Sequence, residues 1–141
     1  MLSICLLLLL VVNCYAQTPV PFVLTRSESP ITLETNHSYF NLEIRTNFIQ
    51  FQSTNYYKFI FDSRTVTEDM YDIFYIKKGN YIKNHPANSG KDLVSPMSGA
   101  GAVWSNDIIV ESKKGLTVCF QSDRNNKKWG IKVRIEPYYP R

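Results

Sequence analysis

The chain has 141 residues, with 16 Lys and Arg against 12 Asp and Glu, a formal net charge of +4 and a pI near 9.0. That moderate basic excess suits anionic glycans or acidic surfaces and falls short of a nucleic-acid-binding signature, while the length fits one domain able to bury its own core. Two of the three cysteines, Cys5 and Cys14, lie in an apolar N-terminal stretch with the pattern of a cleaved leader, and with them removed Cys119 would have no cysteine to bridge to within the mature chain.

Met1 to Val12 is apolar apart from Ser3, and Cys14-Tyr15-Ala16 supplies a small-residue site before the polar Gln17. This is the pattern of a secretory signal peptide cleaved after Ala16, which leaves a single domain over 17–141 in an extracellular setting. The apolar run is shorter than the roughly 20 residues a bilayer span needs, and no later stretch is longer, so no membrane insertion is expected. Asn36-His37-Ser38 is an N-glycosylation sequon in a polar stretch, and its use would put Asn36 at the surface.

No apolar 3.6-residue period is sustained over three turns. Short runs rich in Tyr, Phe, Ile and Val recur instead, punctuated by Gly, Asn, Ser, Pro and Lys, and they predict an all-β domain. The expected strands are Pro21 to Leu24, Phe40 to Ile44, Ile49 to Gln52, Tyr57 to Phe61, Asp72 to Ile76, Ile108 to Glu111, Leu116 to Gln121 and Gly130 to Glu136. In the last, Ile131, Val133 and Ile135 alternate with Lys132, Arg134 and Glu136, the mark of a strand with one wet face. Leu116, Val118 and Phe120 give its predecessor the same pattern. The two are expected to pair as an antiparallel hairpin around a polar loop, and the whole to form a two-sheet sandwich, with a closed barrel as the alternative. Between Gly79 and Gly101 the composition turns polar, which predicts loops with a short edge strand at most. Cys119 falls in an apolar run, as a buried small hydrophobe would.

Catalysis finds little support in the residue inventory. His37 and His85 sit in separate polar segments, in no metal-ligand spacing and near no nucleophile motif. Gly99-Ala100-Gly101-Ala102 has Trp104 where a dinucleotide loop needs its third glycine, and Asn88-Ser89-Gly90-Lys91 lacks the upstream glycine of a phosphate loop. The carboxylates are more informative. Glu68, Asp69 and Asp72 crowd one turn, and Asp123 stands with Asn125 and Asn126 in another loop. Clustered carboxylates repel one another, and a hard dication such as Ca2+, which takes six to eight oxygens, offsets that cost; a solvated acidic turn is the plainer reading. Lys113, Lys114, Arg124, Lys127 and Lys128 occupy the turns at the two ends of the Leu116 strand, with Lys132 and Arg134 on the exposed face beyond. They describe either a solvated basic surface or a stripe for anionic glycan. Tyr56, Tyr57, Tyr71, Tyr75 and Tyr81 add aromatic surface suited to sugar stacking or to packing with the hydroxyl at the edge.

Leu116 to Ile135, with Phe120, then Ser122-Asp123, a polar loop and Trp129-Gly130 opening the last strand, resembles the closing segment of CUB and CUB-like domains. Upstream, Tyr57 to Phe61, then Thr67-Glu68, then Tyr71-Asp72 leading to Ile76 and Gly79, is similar to that family's strand, acidic turn and Tyr-Asp strand. Trp104 followed by Ile108 and Ile109 fits the segment between them. In order, these pieces cover about Tyr57 to Pro137. The resemblance implies a two-sheet, jelly-roll-like antiparallel β-sandwich that binds one Ca2+ through Glu68, Asp72 and Asp123, with Asn125 as a helper, and that grips a basic side chain of a partner protein with its loop face. The spacing from Glu68 to Asp72 is shorter than is usual in the family, and the disulfides common in secreted CUB domains are absent.

The expectation that results is a secreted, non-enzymatic binding or adhesion module recognising an extracellular protein or glycan through its loop face, with Ca2+ as its ion. The alternatives are a lectin-like protein using the basic and tyrosine-rich surface, and a self-associating coat component joined through Cys119 or through strand edges.

Overall fold

A computed structural model of the chain describes residues 23–81 and 91–141. Period-two alternation governs nearly every element: Tyr57, Phe59 and Phe61 are buried along one strand, Phe74 and Ile76 along another, and Val133 and Ile135 along the last. Each of these strands therefore has one dry face, and burying those faces together requires two layers. The Leu116–Gln121 strand, expected to have one wet face, is instead buried on both, with Thr117 and Cys119 as covered as Leu116, Val118 and Phe120. The strands are β1 (Val23–Ser27), β2 (Ile31–Glu34), β3 (Ile44–Phe51), β4 (Tyr56–Phe61), β5 (Ile73–Lys78), β6 (Ile108–Glu111), β7 (Leu116–Gln121) and β8 (Lys132–Tyr138), with one 3-10 turn at Gly101–Trp104. They form two four-stranded sheets, in the orders β1-β3-β7-β5 and β2-β8-β4-β6. All pairings are antiparallel except β1 with β3. The expected all-β sandwich is the fold observed.

The core is aromatic-rich. Phe61 packs on Phe74 and on Trp104 with ring centroids 5.4 and 5.1 Å apart, and Tyr39 meets Phe120 edge-on at 5.1 Å. Leu116, Val118 and Phe120 of one sheet face Val133 and Ile135 of the other across this layer. Cys119 is buried on the opposite face of β7.

Three expectations are corrected. First, β7 and β8 are not a hairpin. They belong to different sheets, and the loop between them crosses the sandwich, because both apolar faces are needed on opposite sides of one core. Alternation alone is the same for a hairpin pair and for two strands facing each other. Second, Phe40 to Glu43 is a turn, with Leu42 in the left-handed region at φ 55°, and β3 runs unbroken from Ile44 to Phe51. Phe40 and Leu42 are exposed, so their apolar character belongs to the surface and not to a strand's buried face. Third, Ile31–Glu34 is a strand that the short, polar-flanked run did not suggest; it is recruited by pairing with β8.

Met97 bridges to Phe74, and Asp92 to Lys77, so the 91–97 segment covers the free edge of β5 as two single contacts in place of an edge strand. The expected leader over 1–16 and His85 lie outside the described residues. Among the described residues no helix is long and apolar enough to cross a membrane.

Candidate metal centre

The sheet register brings the acidic residues together. Ile44 at the start of β3 and Ile73 at the start of β5 both align with Gln121 at the end of β7. Whatever precedes β3 and β5 and whatever follows β7 must then share one end of the sheet. Those segments are the Tyr39–Glu43 turn, the Thr67–Asp72 turn and the loop that begins at Ser122.

Tyr39 ties the three together. Its side chain is fully buried, its hydroxyl donates to Asp72 Oδ2, and the same oxygen accepts the Glu68 amide at 3.3 Å. Burial, reinforced by the neighbouring Asp72 carboxylate, drives the Tyr39 phenol well above its ordinary ionisation range. Asp72 is 0% exposed. Its Oδ1 accepts the Asp123 amide at 2.8 Å, and its carbonyl accepts the Thr67 hydroxyl at 2.8 Å. Leu42 closes the ring by donating its amide to the Asp123 carbonyl at 2.7 Å.

Carboxylate oxygens of Glu68, Asp72 and Asp123 all lie within 4.8 Å of one another. Three carboxylates at that spacing repel unless a cation or proton intervenes. Glu68 shows the consequence most directly. Oε1 accepts the Asn126 side-chain amide at 2.7 Å, but Oε2 is buried and has no hydrogen-bond partner. A buried, unpartnered oxygen on a carboxylate that stands beside two others is the condition that a dication removes, and an all-oxygen donor set suits Ca2+ better than softer metals. The residues present fit such an ion. The three acids named from sequence are thus brought together. Asn125 contributes differently from expectation: its backbone amide donates to Asp123 Oδ1 at 2.7 Å, and it is the side chain of Asn126, in the left-handed conformation at φ 47°, that reaches the acids. Sequence could name the asparagines but not which of two neighbours turns inward.

The surface around these acids is apolar. Met70 is 78% exposed, Tyr71 62% and Phe40 57%, and Leu42 and Ile44 are exposed at the same end. Leu42, Met70 and Asn126 are the non-glycine residues with positive φ among those described, and each sits in one of the three loops of this end. Leu42 and Met70 are therefore large apolar side chains held out to water on left-handed turns, a conformation that non-glycine residues rarely adopt.

The basic residues do not form one surface. Lys113 and Lys114 precede β7, while Arg124, Lys127 and Lys128 follow it, at the other end of the sandwich. Lys132 pairs with Glu34 at 3.3 Å and Arg134 with Glu136 at 3.4 Å. Tyr57 is buried with its hydroxyl against the Phe51 amide, whereas Tyr71 is open. Asn36 is exposed. His37 is more than an ordinary surface residue. It stacks on Trp129 at 3.7 Å, donates from Nδ1 to the Trp129 carbonyl at 2.8 Å, and places Nε2 2.6 Å from Glu34 Oε1. Arg64 lies over the same indole at 4.8 Å. The pair is 92 residues apart in sequence, and no local motif links them.

No protein-family model matches the chain, and no curated protein matches it in sequence. Solved structures do resemble it. The second CUB domain of MASP-1, in a crystal structure with bound Ca2+, superposes with a TM-score of 0.62 at 17% identity, covering 80% of this chain and 96% of that one. The CUB1-EGF-CUB2 region of human MASP-1/3 gives 0.64 at 17% identity over 82% of this chain and 41% of the other. The full extracellular region of zebrafish Gpr126/Adgrg6 gives 0.59 at 17% identity over 84% and 15%. The chain has the CUB fold, as the motifs led one to expect.

Proposed function

We propose that the chain is a secreted, non-enzymatic binding module whose working face is the loop end carrying Glu68, Asp72 and Asp123, organised by Ca2+. The observations that carry this reading are the convergence of the three carboxylates and the buried, unpartnered Oε2 of one of them, Glu68. The Ca2+-bound CUB domain of similar fold supports the choice of ion. With Ca2+ in place, the three loops are locked in one arrangement, and carboxylate oxygens not consumed by the ion accept a Lys or Arg of an extracellular protein in a charge-assisted contact. The exposed Phe40, Leu42, Met70 and Tyr71 supply the apolar part of that interface, as the core of a protein interface requires. A lectin-like use of the basic residues is less well supported, since they are divided between the two ends of β7.

Calorimetric titration of the chain with Ca2+, with thermal melting in parallel, tests the reading. Binding of about one ion with a rise in Tm, lost in Glu68→Gln and in Asp123→Asn, is the expected result. Absence of heat and of stabilisation at millimolar Ca2+ would reduce the three acids to a solvated turn.

A further inference from the structure

The inner face of β3 contains two residues that a sandwich core does not ask for. Arg45 aligns with Phe120, Asn47 with Val118 and Ile49 with Leu116. Aligned side chains on neighbouring strands share a face, and Phe120, Val118 and Leu116 all belong to the buried core. Arg45 and Asn47 therefore project toward the interior, on the stretch of β3 near its start. Beside them lies a cavity of about 220 Å³ between the two sheets, walled by Leu33, Phe74, Val118, Phe120, Ile131 and Val133, with Thr35, Arg45 and Asn47 on its polar side. The cavity opens to solvent on one side, so a ligand can enter it, and polar residues at core-facing positions that border it are where function is to be sought.

The polar side has free capacity. Arg45 is ion-paired through Nε with the buried Glu43 carboxylate and donates from Nη1 to the Glu34 carbonyl at 3.0 Å, so its charge is already matched but three of its five donors stay available. The Asn47 side-chain amide has no hydrogen-bond partner among the described residues. The Glu34 carboxylate, also at the cavity, is engaged by His37 at 2.6 Å and Lys132 at 3.3 Å, so its charge is offset toward an incoming anion. We infer that this cavity is a second binding site, for a small amphipathic carboxylate whose apolar body enters between the sheets and whose carboxylate meets Arg45 and Asn47. The volume exceeds the ~150 Å³ of a dry cavity that admits benzene and falls below the roughly 300–1,000 Å³ of drug-sized sites. A single aromatic ring or a chain of about six to eight carbons is the matching size.

The test is calorimetric titration of the chain with sodium octanoate, 3-phenylpropionate and the uncharged 1-octanol. Each is run with Ca2+ and with chelator, so that failure of the ion site leaves the result readable. Octanoate or phenylpropionate is expected to bind with a negative heat-capacity change. Arg45→Met should weaken the carboxylates at least tenfold and leave octanol unchanged, and Val118→Phe, which fills the cavity, should abolish binding of all three. Should Val118→Phe fail to fold by circular dichroism, Leu33→Phe at the partly buried edge strand serves in its place. No binding of any probe at millimolar concentration, equal binding to the filled variant, or no preference for carboxylate that depends on Arg45 would each overturn the assignment.

Discussion

The Tyr39 hydroxyl donates to Asp72 at the floor of the loop end and, through the same oxygen, holds the amide of Glu68. One phenol thus positions two of the three carboxylates that converge there, from a turn about 30 residues upstream of either. Tyr39→Phe keeps the ring against Phe120 but leaves Asp72 Oδ2 without its donor. Depriving a buried carboxylate of a partner costs about 1–3 kcal/mol, and a lower midpoint in urea is the expected outcome. The loss should be partly recovered in saturating Ca2+, because an ion would satisfy the same oxygen.

The same phenol gives an alkaline signature. Its ionisation lies above the ordinary value of 10.0 in the folded chain, so the folded state holds the proton that the unfolded state releases. Stability from this group is complete below pH 10 and is lost as pH rises through the folded-state value. Wild type should lose stability above pH 10 more steeply than Tyr39→Phe. Parallel curves for the two proteins, measured by denaturant melts across that range, would show that Tyr39 is not coupled to the fold in this way.

Glu68→Gln separates a metal site from a merely acidic turn. The substitution removes a charge from a crowded cluster and puts an amide where Oε2 lacks a partner. In chelator the variant should be as stable as wild type or slightly more so, within about 1 kcal/mol, because like-charge repulsion is relieved. In Ca2+ it should lose the stabilisation that wild type gains, which by linkage is about 2.7 kcal/mol at a hundredfold excess over Kd. Melting both proteins in both buffers checks this, and a variant that Ca2+ stabilises as much as wild type would remove Glu68 from the ligand set.

How much of this was legible beforehand depends on the kind of information each residue carries. That Glu68, Asp72 and Asp123 lie close together was legible from the order of the short motifs that carry them. The alternation of Val133 and Ile135 was readable because period two is written in consecutive residues. What local pattern does not carry is which sheet a strand joins, so β7 and β8 looked like a hairpin. Nor does it reveal that Arg45 and Asn47 point inward, since that follows from their alignment with Phe120 and Val118. The apolar Phe40 and Leu42 misled for the opposite reason: they resemble a strand's buried residues and stand on the surface.

Acid should weaken the other side of the sandwich. His37, with Lys132, holds Glu34 below its ordinary value of 4.5, and Arg64 holds Asp62 below its ordinary value of 3.8. Both carboxylates are depressed in the folded state, so the stability they contribute is present above those ordinary values and lost as pH falls through the folded-state ones. Glu34→Gln with Asp62→Asn should flatten the dependence of the melting temperature on pH below about 4.5. Unchanged slopes would mean that these surface pairs contribute nothing measurable, as many do.

Trp104 anchors the segment that leads from the loop end back into the core. Its indole packs on Phe61 at 5.1 Å and Phe74 at 6.2 Å, and Nε1 donates to the Gly99 carbonyl at 2.8 Å. Gly99 in turn donates to Thr67 Oγ1 at 3.1 Å, one residue before Glu68. Trp104→Ala should therefore cost about 3–5 kcal/mol through the cavity it leaves, and should also weaken Ca2+ binding by loosening the Thr67 turn. Trp104→Phe refills most of the space but cannot make the Gly99 bond. It should regain the larger part of the stability and leave the Ca2+ affinity reduced. If Trp104→Phe instead restores Ca2+ affinity in full, the path from Gly99 through Thr67 to the carboxylates carries no coupling, and Trp104 serves the core alone.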